Sequence, residues 1–299
     1  MSSFQWKGVF PALLTPFDAN DKVDLAMFEK NLDAQVEAGI HGIIIGGSLG
    51  EASTLTLAEK ELLVKFSVKK LAGTIPVVMN IAEAATRDAI QQAIWAKEWG
   101  VDGIMLLPPM RYKADDLEVL AFFKAVAANT DLPIMIYNNP VDYKIEVTLD
   151  MFAELASIPH INAIKESTRD VTNITRLKNR FGDRFAVLCG VDPLTVEELA
   201  LGADGLVAGL VDAFPRETVV MYNLVKAGKI EEAIQIYRWF MPLLELDIHP
   251  KLVQYIKLAA TQTGIGSEYV RAPRLPLVGE ERERVMKVIN DGIATRPNL

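Results

Sequence analysis

Two residues that each close an apolar run are the best placed to do covalent chemistry. Lys165 ends the run in INAIKES (161–167), after Ile161, Ala163 and Ile164. Lysine is rarely buried without a partner. Low-dielectric surroundings lower its pKa, and the neutral amine attacks carbonyls to form an imine. A protonated imine withdraws electrons, so a carbanion or enamine beside it becomes accessible. That is what cleavage, condensation or elimination next to a ketone requires. Tyr137 closes PIMIYN (133–138), just before Pro140, and a phenol can both donate and accept a proton. A third stretch, GGSLGEAS (46–53), carries glycines that let backbone approach a ligand, and the Ser48 hydroxyl. Backbone N–H groups at the start of the helix after it can hold a carboxylate.

Each feature has a plainer alternative. Lys165 can end a strand and pair with Glu51 or Glu166. Tyr137 can be a rim tyrosine with a wet hydroxyl. The glycines can serve only a tight strand-to-helix turn, with Glu51 as an acid of the first helical turn. Residue types alone leave these readings open.

The elements that must position these groups are legible as an alternation. Eight short apolar runs recur: VFPALL (9–14), GIIIGG (42–47), PVVMNI (76–81), GIMLLP (103–108), PIMIYN (133–138), NAIKES (162–167), AVLCG (186–190) and GLVAG (205–209). Each is one strand long and apolar on both faces, as a parallel strand covered by helices must be. Amphipathic segments lie between them, at 25–38, 56–71, 86–99, 117–128 and 149–155, with Asp24 and Gly39 as start and stop signals of the first. Eight such units predict a closed (β/α)₈ TIM barrel over residues 1–215, with active groups at the C-terminal ends of the strands. Residues 216–299 read as helices only (217–227, 230–246, 252–263 and 280–292), a C-terminal helical extension packed on the barrel.

Composition narrows the function. Half of the 299 residues are hydrophobic and 23% are charged, with net charge −8. That balance disfavours nucleic acid and anionic membrane as partners. The lone Cys189 excludes an internal disulfide and a multi-cysteine zinc site, and fits a reducing, cytoplasmic setting. The first ten residues carry no signal-peptide pattern, and no apolar run is long enough to cross a membrane.

The order GSLGE, YNNP, IKES at three strand ends resembles the dihydrodipicolinate synthase / N-acetylneuraminate lyase family. The likeness begins at ALLTPF (12–17), includes GVD (190–192) and GLVAG, and reaches VRAPRLPL (270–277). The resemblance implies a (β/α)₈ barrel, usually a homotetramer built as a dimer of dimers. It implies a lyase, an aldolase, dehydratase or deaminase, that forms a Schiff base with a small-molecule 2-oxo acid such as pyruvate and needs no metal or organic cofactor. It makes Lys165 the imine lysine and Tyr137 the proton-transferring phenol. Gly47 and Ser48 would hold the substrate carboxylate, and the backbone at Val207 would line the pocket.

The chain departs from the family pattern at three positions. Leu49 stands where a second hydroxyl links the shuttle tyrosine to a tyrosine lent by a neighbouring subunit. Met110, in LPPMRYKAD (107–115), stands in place of that lent tyrosine, with Tyr112 shifted by two residues. Asp142 occupies the place of an arginine that clamps the carboxylate of the incoming aldehyde, and like charges repel. These changes favour a hydroxylated or cationic substrate over the 4-hydroxy-tetrahydrodipicolinate synthase reaction, which is the alternative. A non-catalytic relative that only binds 2-oxo acids is another.

Other signals carry less. DANDKVDLAMFE (18–29) imitates a calcium loop but has Lys22 at a ligand position and Val23 where glycine belongs. His41, His160 and His249 are too scattered for a metal pair. Cys189 reads as a small apolar filler, and HPKLVQYIK (249–257) as helix packing around a C-terminal core.

Overall fold

The computed structural model describes residues 5–299. The eight apolar runs form eight parallel strands: β1 (Gly8–Pro11), β2 (Ile43–Ile45), β3 (Val77–Ile81), β4 (Gly103–Leu106), β5 (Ile134–Asn138), β6 (Ile161–Glu166), β7 (Ala186–Cys189) and β8 (Gly205–Ala208). They pair in the order β1-β8-β7-β6-β5-β4-β3-β2. A parallel bridge from Ala12 to Ile44 brings β1 back to β2 and closes the ring. This is the expected (β/α)₈ barrel. Nearly every strand residue is buried, because the ring interior and a helical layer cover the two faces.

Among the described residues twelve α-helices surround or extend the ring: α1 (Leu25–Glu37), α2 (Leu57–Leu71), α3 (Thr86–Glu98), α4 (Asp116–Ala127), α5 (Pro140–Tyr143), α6 (Leu149–Leu155), α7 (Thr172–Phe181), α8 (Thr195–Ala200), α9 (Pro215–Lys226), α10 (Ile230–Leu244), α11 (Leu252–Gln262) and α12 (Gly279–Ala294). Their starts follow local chemistry. Asp24 caps α1 by accepting from the Met27 N–H, and Thr56 with Glu59, then Asp115 with Glu118, form reciprocal capping boxes on α2 and α4.

Three helices escaped the sequence reading. The single turn α5 is too short for periodicity, and α8 has only six residues. Helix α7 buries just Ile174 and Leu177 within a polar stretch, so its apolar stripe is thin.

Helix α9 lies against β1, α1 and α8, and α10 packs on α9 and α12. After α10 a 3-10 turn, Glu245–Ile248, rests on a second such turn, Asp192–Leu194, beyond the end of β7. The extension thereby reaches the C-terminal mouth of the barrel. An ion network ties it to the turn after β2. Lys257 Nζ sits 2.5 Å from Glu51, both fully buried, and Arg274 reaches the same carboxylate at 3.4 Å. Arg271 joins Glu59 and Asp21 alongside.

Candidate active site

Tyr137 and Lys165 are register partners on the neighbouring strands β5 and β6. Both therefore emerge on the same face at the mouth of the ring. The lysine ammonium stands 4.1 Å from the tyrosine ring centroid. Lys165 is 7% exposed and Tyr137 8%. Side chains alternate along a strand, so Glu166 points the other way, into the helical layer. There it accepts from the Thr168 N–H and from Asn173 Nδ2. Glu51 is taken by Lys257 and Arg274. Both ion pairs of the plainer reading of Lys165 are thus excluded. Among the described residues no carboxylate oxygen comes within ion-pair distance of its amine. Burial holds that amine below the ordinary lysine range, against the opposing pull of Tyr143, Asp247 and Asp192.

Gly190 makes room for the lysine. A Cβ there would lie 2.8 Å from Lys165 Cγ and Cε, and closer still to Ser167 Oγ. Burial also pushes the Tyr137 phenol up to about 12, so it rests as a neutral O–H. Its oxygen accepts from Asn139 Nδ2 at 3.0 Å.

The two residues open into a cavity of about 430 Å³. Gly47, Ser48, Leu49, Asp142 and Val207 line it as well. The helix after the glycine turn, α2, begins at Leu57, where the 56–71 segment put it, and not directly after the turn. A 3-10 turn, Ala52–Thr54, intervenes, and α2 satisfies its own first turn with Thr56 and Glu59. Any carboxylate at Gly47 and Ser48 must use the turn's own N–H groups. Those of Gly47, Ser48 and Leu49 take no part in the backbone hydrogen bonds of the turn.

Asp142 is exposed, accepts from Asn139 Nδ2 at 2.8 Å, and faces Arg169 at 3.9 Å. Met110 does not reach the cavity; it is half-buried against the core. Tyr112 is 57% exposed and lies outside it.

The lining residues that the sequence reading missed include Tyr143, Arg169, Asp247 and His249. Tyr143 follows Tyr137 by six positions, and the turn of α5, started by Asn139 and Pro140, folds it back over the mouth. Its hydroxyl meets Ser48 Oγ at 2.7 Å, and its ring meets that of Tyr137 edge-on at 5.5 Å. The aromatic in YNNPVDY was the available signal. Arg169 lines the cavity from a left-handed backbone, φ 64°, which no residue pattern announces. Asp247 and His249 arrive from the extension. The segment read as mere helix packing therefore supplies part of the wall. Cys189 is buried and its thiol pushed well up, which suits a filler. Among the described residues no three His, Cys, Asp or Glu side chains gather as a metal site.

Comparison with known proteins shows the family. A family model described as the Dihydrodipicolinate synthetase family matches residues 5–291. The 4-hydroxy-tetrahydrodipicolinate synthase of Exiguobacterium sibiricum is 35% identical over 276 residues, 91% of this chain and 92% of that one. The crystal structure of a dihydrodipicolinate synthase from Bacillus anthracis superposes with a TM-score of 0.93 at 30% identity, covering 99% of this chain and 100% of that one. The enzyme from Aquifex aeolicus gives 0.91 at 31% identity, covering 95% and 97%. With a match running through nearly its whole length, the chain belongs to the dihydrodipicolinate synthetase family and is a lyase of that family.

Proposed function

We propose that this lyase condenses Lys165 with a 2-oxo acid, pyruvate or a hydroxylated relative, and carries out its bond-making or bond-breaking through the imine. The observation that carries the reading is an unpaired amine, desolvated and 4.1 Å from a phenol ring, inside a cavity. Tyr137 moves protons. The N–H groups of Gly47 and Ser48 hold the substrate carboxylate, while Leu49 and Val207 shape the pocket. Tyr143 takes over in the same chain the hydroxyl that relatives borrow from a neighbour, with Ser48 as its partner. Asp142, beside Arg169, meets the distal polar end of the substrate. No metal or organic cofactor enters this reading.

The experiment is to incubate the protein with pyruvate, add borohydride, digest, and weigh the peptides. A reduced adduct on Lys165 is expected; its absence from folded protein with every 2-oxo acid tried would overturn the imine mechanism. The synthase reaction is the second reading. It draws support from the names of the relatives, and from Arg169 as a replacement cation for an aldehyde carboxylate. Turnover with a carboxylate-bearing aldehyde and pyruvate would favour it over the hydroxylated substrates.

The proposal extends to a barrel over 1–215 with the extension 216–299 packed on it, a homotetramer, and a cytoplasmic location. The single cysteine supports the last, and among the described residues no helix is long and apolar enough to cross a membrane. Light scattering on the purified protein tests the oligomer.

A further inference from the structure

Asp247 lines the cavity, yet none of the roles above uses it. It stands on the 3-10 turn Glu245–Ile248, which packs on the turn carrying Asp192. Its Oδ1 lies 2.3 Å from where a Cβ on Gly209 would be, so the glycine closing GLVAG leaves the space that the carboxyl occupies. The groups that bear on it come from several elements: Asp192 after β7, Asp212 after β8, Asp142 on α5, Tyr137 on β5 and the cation Lys165 on β6. Among the described residues no ammonium or guanidinium lies within ion-pair distance of it.

Carboxyls crowded around one amine do not all ionise. Asp192 accepts from the backbone N–H groups of Gly209 and Leu210, at 2.7 Å from the latter, which favours its anion. Asp247 has a single backbone donor, the N–H of Asp192. Burial first, then the Asp192 charge, pushes it well above the usual carboxylate range. Half-buried in the same cavity as Lys165, it is thereby biased towards its protonated form.

We propose that Asp247 is a catalytic acid that gives its proton to the hydroxyl leaving the carbinolamine on Lys165. The inference rests on the imine chemistry proposed above. The amine adds to the ketone to give a neutral carbinolamine. The C–O bond then breaks with its electron pair on oxygen, which takes the carboxyl proton and leaves as water. The nitrogen lone pair closes the C=N bond. The products are a cationic iminium and the Asp247 carboxylate, so charge is conserved and no further reagent is needed. Hydrolysis of the product imine runs the same step backwards. A carboxyl suits the task better than the neighbouring phenols, because Tyr137 is pushed to about 12 and Tyr143 higher still. An acid works best when its pKa lies near the working pH. The departures at Leu49 and Met110 remove two groups of the relatives' relay, and Asp247 supplies a proton source from another side.

The test is the rate of adduct formation, with pyruvate and purified full-length protein quenched into borohydride at timed intervals across a range of pH. Wild-type protein is expected to give a bell-shaped profile, rising as Lys165 loses its proton and falling as Asp247 loses its own. Asp247→Asn keeps the shape but has no proton to give. It should form the same Lys165 adduct roughly 100-fold more slowly, within the range a positioned acid supplies, and should lose the falling limb. A purely structural defect would slow the reaction and leave both limbs in place, which overturns the assignment. Adduct formation in Asp247→Asn at the wild-type rate overturns it too, while leaving the imine intact. No adduct in wild-type protein overturns the imine reading and this inference together.

Discussion

The hydroxyls of Ser48 and Tyr143 lie 2.7 Å apart across 95 residues of sequence. One belongs to the turn after β2 and the other to the turn of α5, so the pair spans the mouth of the ring. If the two hydroxyls pass a proton as one unit, removing either should cost about as much as removing both. Tyr143→Phe and Ser48→Ala are each expected to lower kcat by about 100-fold or more. The double variant should fall well short of additivity. Steady-state kinetics on the four proteins measures the coupling, and independent, additive losses would show that the contact carries no proton.

Among the described residues that line the cavity, Lys165 is the one lysine. Lys165→Ala should abolish the borohydride adduct and lower kcat by on the order of 10⁶-fold, as loss of other covalent nucleophiles does. In the wild-type protein, adduct formation should rise with pH to a midpoint below 10.5, the ordinary lysine value, because burial disfavours the ammonium. A midpoint at or above 10.5 would mean that the amine is solvated or paired.

The ring and its chemistry differ in how plainly the chain announces them. Strand runs such as GIIIGG and GIMLLP are legible because a parallel strand covered on both faces must be apolar throughout. Lys165 and Tyr137 are legible because each interrupts such a run at its end. Asp247 and Arg169 are not, and Tyr143 is visible only as an aromatic close to YNNP, since their positions depend on how a distant extension, a left-handed backbone and a four-residue helix fold back over the mouth. Nothing in HPKLVQYIK separates a wall of the cavity from ordinary packing. The place of Glu51 could not be read either, because its partner Lys257 lies some two hundred residues away and on an element with no link to β2 in the sequence.

That buried pair is expected to matter for stability more than its exposed counterparts. Lys257 and Glu51 are both fully enclosed, and the lysine is lowered only to about 8 because the carboxylate opposes desolvation. Lys257→Met leaves Glu51 with Arg274 and the Arg271 backbone N–H and should cost about 3–5 kcal/mol, as breaking a buried pair does. Urea unfolding measures it. Replacing an exposed partner such as Lys287, whose side chain is 75% exposed, should change stability by about 1 kcal/mol or less.

Stability should also depend on pH through Glu198. Burial, reinforced by the Glu166 charge, pushes its carboxyl up to about 8, and its Oε2 has no hydrogen-bond partner. The folded state therefore binds a proton that the unfolded chain releases near 4.5. This contribution is complete below 4.5 and is lost as pH rises towards 8. Glu198→Gln, which cannot ionise, should flatten that decline. Thermal unfolding between pH 5 and 9 compares the two, and parallel curves would place the dependence elsewhere.

The bridge between Ala12 and Ile44 has a consequence for the newborn chain. A finished ring presents no strand with unpaired ladder groups for a second molecule to join. Until Gly205–Ala208 has been made and has found β1, both β1 and β7 lack a neighbour. The interval between synthesis of β7 and docking of β8 is then when self-association threatens most. A chain ending before residue 205 would be trapped in that interval and is expected to precipitate, whereas the finished one has passed it.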